Sequence, residues 1–156
     1  MLRRHPVLSI VTALYLVAVG WITLSSQPQD SEQNTFIRDV IAQIGRFPAT
    51  SWVTYNGVEF TANIAMFVPM GVLFTLLLGL RRWWVALLIG VVATCTIEFI
   101  QLFLPTRYSD VRDLIANTTG TLIGIGVVAL IAWLKRRGNS QGTPSVDDDI
   151  HANALK

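Results

Sequence analysis

The chain has 156 residues, 52% of them hydrophobic and 14% charged, with a mean hydropathy of +0.51; an ordinary soluble domain carries roughly a quarter charged residues. This composition excludes a soluble single domain, and the length suits about one domain. The formal charge of +2 and pI near 9.0 do not indicate nucleic-acid binding, because the basic residues stand in short clusters beside apolar runs, the pattern membrane topology produces.

The first apolar stretch, Val7 to Leu24, follows Arg3, Arg4 and His5, so a secretory signal peptide competes with a membrane helix there. Its apolar core of about 18 residues exceeds the roughly 7 to 15 of a signal h-region. No A-x-A precedes Gln27, and the stretch reads as an uncleaved first helix. The segment from Ser26 to Glu59 is the one long connection outside the spans. Within it Phe36, Ile37, Val40, Ile41, Ile44 and Phe47 recur at spacings of one, three and four. That spacing predicts an amphipathic helix lying in the outer interface or forming a lid on the helix ends.

Three further apolar stretches follow: Phe60 to Leu80, Trp83 to Leu104 and Leu114 to Leu134. At about 1.5 Å rise per residue, roughly 20 residues cross a hydrocarbon core of about 30 Å. Lipid offers no hydrogen-bond partners, so each segment must be helical. The expected fold is therefore all-α, an integral membrane bundle of four transmembrane helices with an extracytoplasmic amphipathic helix. Residues 1–6 form a cytoplasmic N-terminus, 7–137 the membrane domain and 138–156, with Asp147 to Asp149, a disordered cytoplasmic tail.

Orientation follows from the basic flanks. Arg3, Arg4, Arg81, Arg82, Lys135, Arg136 and Arg137 fall on one side, and Arg38, Arg46, Arg107 and Arg112 on the other. The larger set marks the cytoplasm, which places both termini inside. Trp52, Tyr55 and Tyr108 suit one interfacial belt, and Trp83, Trp84 and Trp133 the other.

The polar residues inside or beside these spans carry the functional information. Asn63 stands early in the second helix, ahead of Phe67, Pro69 and Gly71. Glu98 and Gln101 share a face of the third, with Glu98 roughly 9 Å below its end by helical rise. The connection contains Arg107, Asp110 and Arg112, and the fourth helix opens with Asp113 and Asn117 on one face. With alternating helix directions these residues fall at one depth on one side, so a shared pocket is expected if the helices are neighbours. A carboxylate such as Glu98 is costly against lipid and must face protein, water or a cation. Arg107 and Arg112 are the candidate partners for Glu98, Asp110 and Asp113, leaving an excess negative charge that a cationic ligand would balance.

Other features have structural readings. Ala116, Gly120 and Gly124 form a small-xxx-small stripe for close helix approach. Pro69 is expected to kink its helix. Thr118 and Thr119 bond either to their own helix or to a ligand. Cys95, the single cysteine, implies no disulfide framework and no metal-ligand spacing, and is expected as a small buried filler. No metal and no cofactor is expected.

The segments NIAMFVPMG (Asn63 to Gly71), EFIQ (Glu98 to Gln101), RYSDVRD (Arg107 to Asp113) and NTTG (Asn117 to Gly120) together resemble the VanZ-like family. That family is named for a membrane protein associated with resistance to the glycopeptide antibiotic teicoplanin. The resemblance spans Asn63 to Gly124 and implies a multi-pass plasma-membrane protein of the cell envelope, without supplying an established reaction. It also implies that Asn63, Glu98, Gln101, Arg107, Asp110, Asp113 and Asn117 are the family's characteristic polar positions.

Three functional readings remain open on the sequence. In the first, an outer-leaflet pocket binds the headgroup of a membrane lipid or a lipid-linked cell-wall precursor. Arg107 and Arg112 would meet anionic groups, Glu98 and Asp113 amines, and Asn63, Gln101 and Asn117 neutral hydrogen-bonding groups. In the second, a membrane-embedded enzyme uses Glu98 or Asp110 as general base and Arg107 to stabilise charge. Neither His5 nor His151 lies near the site, so that reading lacks a paired nucleophile. In the third, the polar cluster only locks helices together in an assembly partner.

Overall fold

The computed structural model describes residues 6–25, 39, 54–104 and 110–140. Four helices account for nearly all of these: α1 (Pro6–Leu24), α2 (Tyr55–Leu78), α3 (Trp83–Gln101) and α4 (Val111–Ser140). All four are long and apolar enough to cross a membrane, so the chain is a multi-pass, all-α membrane protein. The expected amphipathic helix over 36–47, apart from Asp39, and Arg107 and residues 141–156 of the tail lie outside the described residues.

The boundaries differ from the hydropathy reading at several ends, three of which bear on the site or the tail. α2 starts at Tyr55, ahead of the apolar run, because Thr54 caps it: its hydroxyl accepts from the Gly57 N–H at 3.1 Å. That first polar turn brings Glu59 into the helix. α3 stops at Gln101, and the next turn tightens through Phe103 N–H to Ile100 O and Leu104 N–H to Gln101 O, both at 3.0 Å. α4 continues through Ser140, past Leu134 where the apolar run ends, so residues 138–140 are helical and not part of a disordered tail, because a helix ends with its hydrogen bonding and not with its hydropathy. Arg137 lies 3.9 Å over the Trp133 ring in that last stretch.

A short 3₁₀ turn, Leu80–Arg82, joins α2 to α3. Gly79 ends α2 with φ of 81° and ψ of 151°, a region that L side chains rarely adopt. The Arg82 N–H then bonds Gly79 O at 2.9 Å, returning the chain antiparallel beside α2.

The packing is inverted relative to a soluble bundle. Large apolar side chains such as Leu14, Val17, Leu88, Val92, Phe99 and Leu130 are exposed, whereas Thr12, Thr75, Thr94, Gln101, Asn117 and Thr121 are buried. In lipid an outward leucine costs nothing, and small or hydroxyl-bearing residues let helices approach. Cys95 is exposed on the outer face of α3, so it does not fill the interior as expected from its apolar surroundings.

α2 and α4 share the most extensive contact. A Cβ on Gly120 would stand 2.2 Å from Ile64 O, one on Gly124 2.1 Å from Val68 O, and one on Gly71 2.1 Å from Thr121 O. The Gly120 and Gly124 stripe thus has its complement in Gly71. α2 stays helical through Pro69, whose ring is on the exposed face. α3 packs on α4 with Thr121 seated over Gly90. α1 lies against α2 and α3, where Val19 joins Phe67, Met70 and Ile97 in a buried cluster. The Tyr15 hydroxyl donates to Met66 O at 2.5 Å.

Candidate functional site

At the end of the bundle where α1 and α3 finish and α2 and α4 begin, a cavity of about 200 Å³ opens among all four helices. α2 contributes Glu59, Ala62, Asn63 and Met66, spaced at i, i+3, i+4 and i+7, one stripe of one face. α3 contributes Ile97, Glu98 and Gln101 by the same spacing, α4 contributes Asp113 and Asn117, and α1 closes the wall with Ile22 and Thr23.

The polar side chains are held by bonds between helices. Glu98, half-buried, accepts the backbone N–H of Asp110 at 3.0 Å, so a carboxylate of α3 receives the chain just as α4 starts. Asp110 caps that helix itself: its Oδ1 accepts from the Arg112 N–H at 2.8 Å, and its carbonyl accepts from the Asp113 N–H at 2.9 Å. Negative charge at both positions complements the positive end of the α4 dipole. Asn117 donates through Nδ2 to Thr94 Oγ1 at 2.9 Å, joining α4 to α3. Gln101 donates through Nε2 to Thr23 O at 3.0 Å, joining α3 to α1.

Two acceptors in this wall have no partner. Gln101 is 6% exposed and Asn117 is 3% exposed, and neither Gln101 Oε1 nor Asn117 Oδ1 accepts a hydrogen bond. A buried polar group left unpaired costs about 1–3 kcal/mol. For Gln101 the amide orientation is fixed by chemistry, since Thr23 O can only accept and must face the NH₂ group. Each is a polar cost that the fold carries beside the cavity.

A family model described as VanZ/LLP1 matches residues 12–132. The chain belongs to the VanZ/LLP1 family. The match begins within α1 and ends within α4, so it takes in all four helices and extends beyond the Asn63 to Gly124 segment that carries the motif resemblance. No curated protein and no solved structure matches the chain.

Of the sequence-predicted residues, Asn63, Glu98, Gln101, Asp113 and Asn117 come together around the VanZ/LLP1 cavity. Asp110 and Arg112 do not line it. They line a smaller adjoining recess of about 10 Å³ with Asn56, Phe60, Glu59 and Asp113, the last two shared with the cavity. Asp110 is displaced because its side chain turns to the start of α4. Arg107 lies outside the described residues. Thr119, one of the two threonines with an open assignment, bonds back to Ile115 O at 2.7 Å.

Sequence reasoning missed Glu59 and the whole of α1's contribution. Glu59 was legible in principle: it precedes Asn63 by four residues, which places both on one face once the helix extends past the apolar run. Thr23 was not, because it takes part through its backbone carbonyl, which no side-chain pattern encodes. Among the described residues no group of three His, Cys, Asp or Glu side chains is arranged to hold a metal ion.

Proposed function

We propose that this VanZ/LLP1 protein is a non-enzymatic envelope protein whose cavity binds the headgroup of a membrane lipid or a lipid-linked cell-wall precursor in the outer leaflet of the plasma membrane, and thereby influences glycopeptide susceptibility. The observation that carries the reading is the cavity itself, polar, at one end of the spans, with the acceptors Gln101 Oε1 and Asn117 Oδ1 unpartnered. Helix ends lie at headgroup depth, where an amphipathic molecule presents its polar part. The excess of Lys and Arg at the opposite flanks supports cytoplasmic termini and an outward cavity.

The test is native mass spectrometry of protein purified from its own membranes, beside an Ala62→Phe variant that fills the cavity from an exposed wall position. Wild-type protein is expected to retain a lipid or precursor that the variant lacks, and to raise the teicoplanin concentration its host tolerates where the variant does not. Equal retention by both proteins would defeat the reading.

A second reading, a polar lock without a ligand, has specific support in the bonds from Glu98, Gln101 and Asn117 that tie neighbouring helices together. Glu98→Gln separates the two. Normal membrane accumulation with a lost phenotype favours the binding site, and lost accumulation favours the lock.

A further inference from the structure

Resting on the headgroup reading of the polar cavity, we infer that its ligand is bipartite: a hydrocarbon chain seats in a second, apolar cavity on the lipid-facing side of α2, and the polar part turns over Ala62 into the first.

The second cavity measures about 600 Å³, and its described wall comes from the first half of α2, with Gly57, Val58, Phe60, Thr61, Ala62 and Ala65, and from Thr54 just ahead of it. Its two hydroxyl groups are engaged by α2 itself. Thr61 Oγ1 donates to Gly57 O at 2.8 Å, and Thr54 Oγ1 accepts from the Gly57 N–H at 3.1 Å. The other described side chains in the wall are hydrocarbon, so the space suits an aliphatic chain and gives a polar guest nothing in exchange for its water. Gly57, Val58, Thr61, Ala62 and Ala65 are exposed, so the cavity opens on the surface of a membrane-spanning helix, where hydrocarbon is the solvent. From Gly57 to Ala65 the helix rises about 12 Å, which carries the space from the helix end down into chain depth.

Ala62 lines both cavities. Its methyl group is the whole side chain at that boundary, so one molecule lies in the apolar space and crosses into the polar one without displacing a large group. A membrane amphiphile meets both spaces, and a water-soluble headgroup meets only the first.

The experiment reconstitutes the full-length protein in vesicles of phosphatidylethanolamine and phosphatidylglycerol, a fraction of each carrying a diazirine along one acyl chain, and locates the photolabelled residues by mass spectrometry. Labelling is expected several-fold more often on Val58, Thr61 and Ala65 than on Val92 and Phe99, exposed positions of α3 at comparable depth. Ala65→Phe fills the apolar cavity from an exposed position, where a larger apolar side chain costs little against lipid. It should melt like wild type, and should lower several-fold both the labelling of Val58 and Thr61 and the lipid retained through purification.

Equal labelling of the α2 cavity and the α3 face in wild type means ordinary surrounding lipid and overturns the inference, as does retention unchanged by Ala65→Phe. It is also overturned if the α2 cavity escapes labelling and cross-links instead tie Val58 to the segment from Phe36 to Phe47 or to a second copy of the chain. In each of these cases, loss of retained lipid in Ala62→Phe would still uphold the headgroup reading. Equal retention by wild type and Ala62→Phe defeats that reading, and the bipartite ligand falls with it.

Discussion

The α2–α4 seam and the cavity are built on the same two helices and obey opposite rules. Along the seam, Gly71, Gly120 and Gly124 bring backbone against backbone so closely that a single Cβ would stand near 2 Å from a carbonyl oxygen. One turn or two toward the other end, the same pair parts around Glu59, Asn63, Asp113 and Asn117 and leaves a space with unpartnered acceptors in its wall. Dispersion and close approach hold the seam, as they must where lipid provides no hydrophobic drive between helices. The cavity gives up packing and leaves polar atoms unmet, which a protein keeps only where something else compensates. The contrast teaches where stability and function separate in this bundle.

The sharpest way to break the contrast is at the seam. Gly124→Leu forces a side chain into Val68 O, and overpacking of this kind should cost about 3 kcal/mol or more. We expect membrane accumulation to collapse, measured by fractionation and by unfolding in mixed micelles. Unchanged accumulation would mean that the seam does not hold α2 to α4.

Next in size is Glu98→Ala, which removes the acceptor for the Asp110 N–H and should cost about 1–3 kcal/mol. Glu98→Gln keeps an oxygen at that place and should recover at least half of the loss, read as the midpoint of thermal unfolding in detergent. If Gln is as damaging as Ala, the charge and not the hydrogen bond secures the start of α4.

Tyr15→Phe deletes the bond from α1 to Met66 O, and interhelix bonds in membranes average about 0.6 kcal/mol. The expected result is a small fall in thermal midpoint with the lipid profile of the cavity intact. A larger fall would make α1 a principal support of the bundle. Smallest of all is Thr119→Val, since that hydroxyl only bonds back to its own helix; a change within about 0.5 kcal/mol is expected by the same melting measurement.

Much of the site was legible before any coordinates. Asn63, Glu98, Gln101, Asp113 and Asn117 violate the apolar rule, and helix direction puts them at one depth, so their convergence follows from periodicity and topology. Asp110 was misplaced relative to the cavity, because a sequence does not say whether an aspartate before a helix turns to a pocket or caps the backbone. Glu59 was lost for a different reason: hydropathy ends where polarity begins, whereas a helix ends where its capping and hydrogen bonding end.

The sequence by itself determined four membrane helices, their apolar exteriors and the polar belt, because lipid forces unbroken apolar helices and penalises every exception. Tertiary structure alone decided that α1 joins the site through the Thr23 carbonyl, that Gly71 answers the glycines of α4, and which amide oxygens stay unpaired. Those outcomes depend on the distances between helices, and distances between helices are set by packing rather than by the order of residues along any one of them.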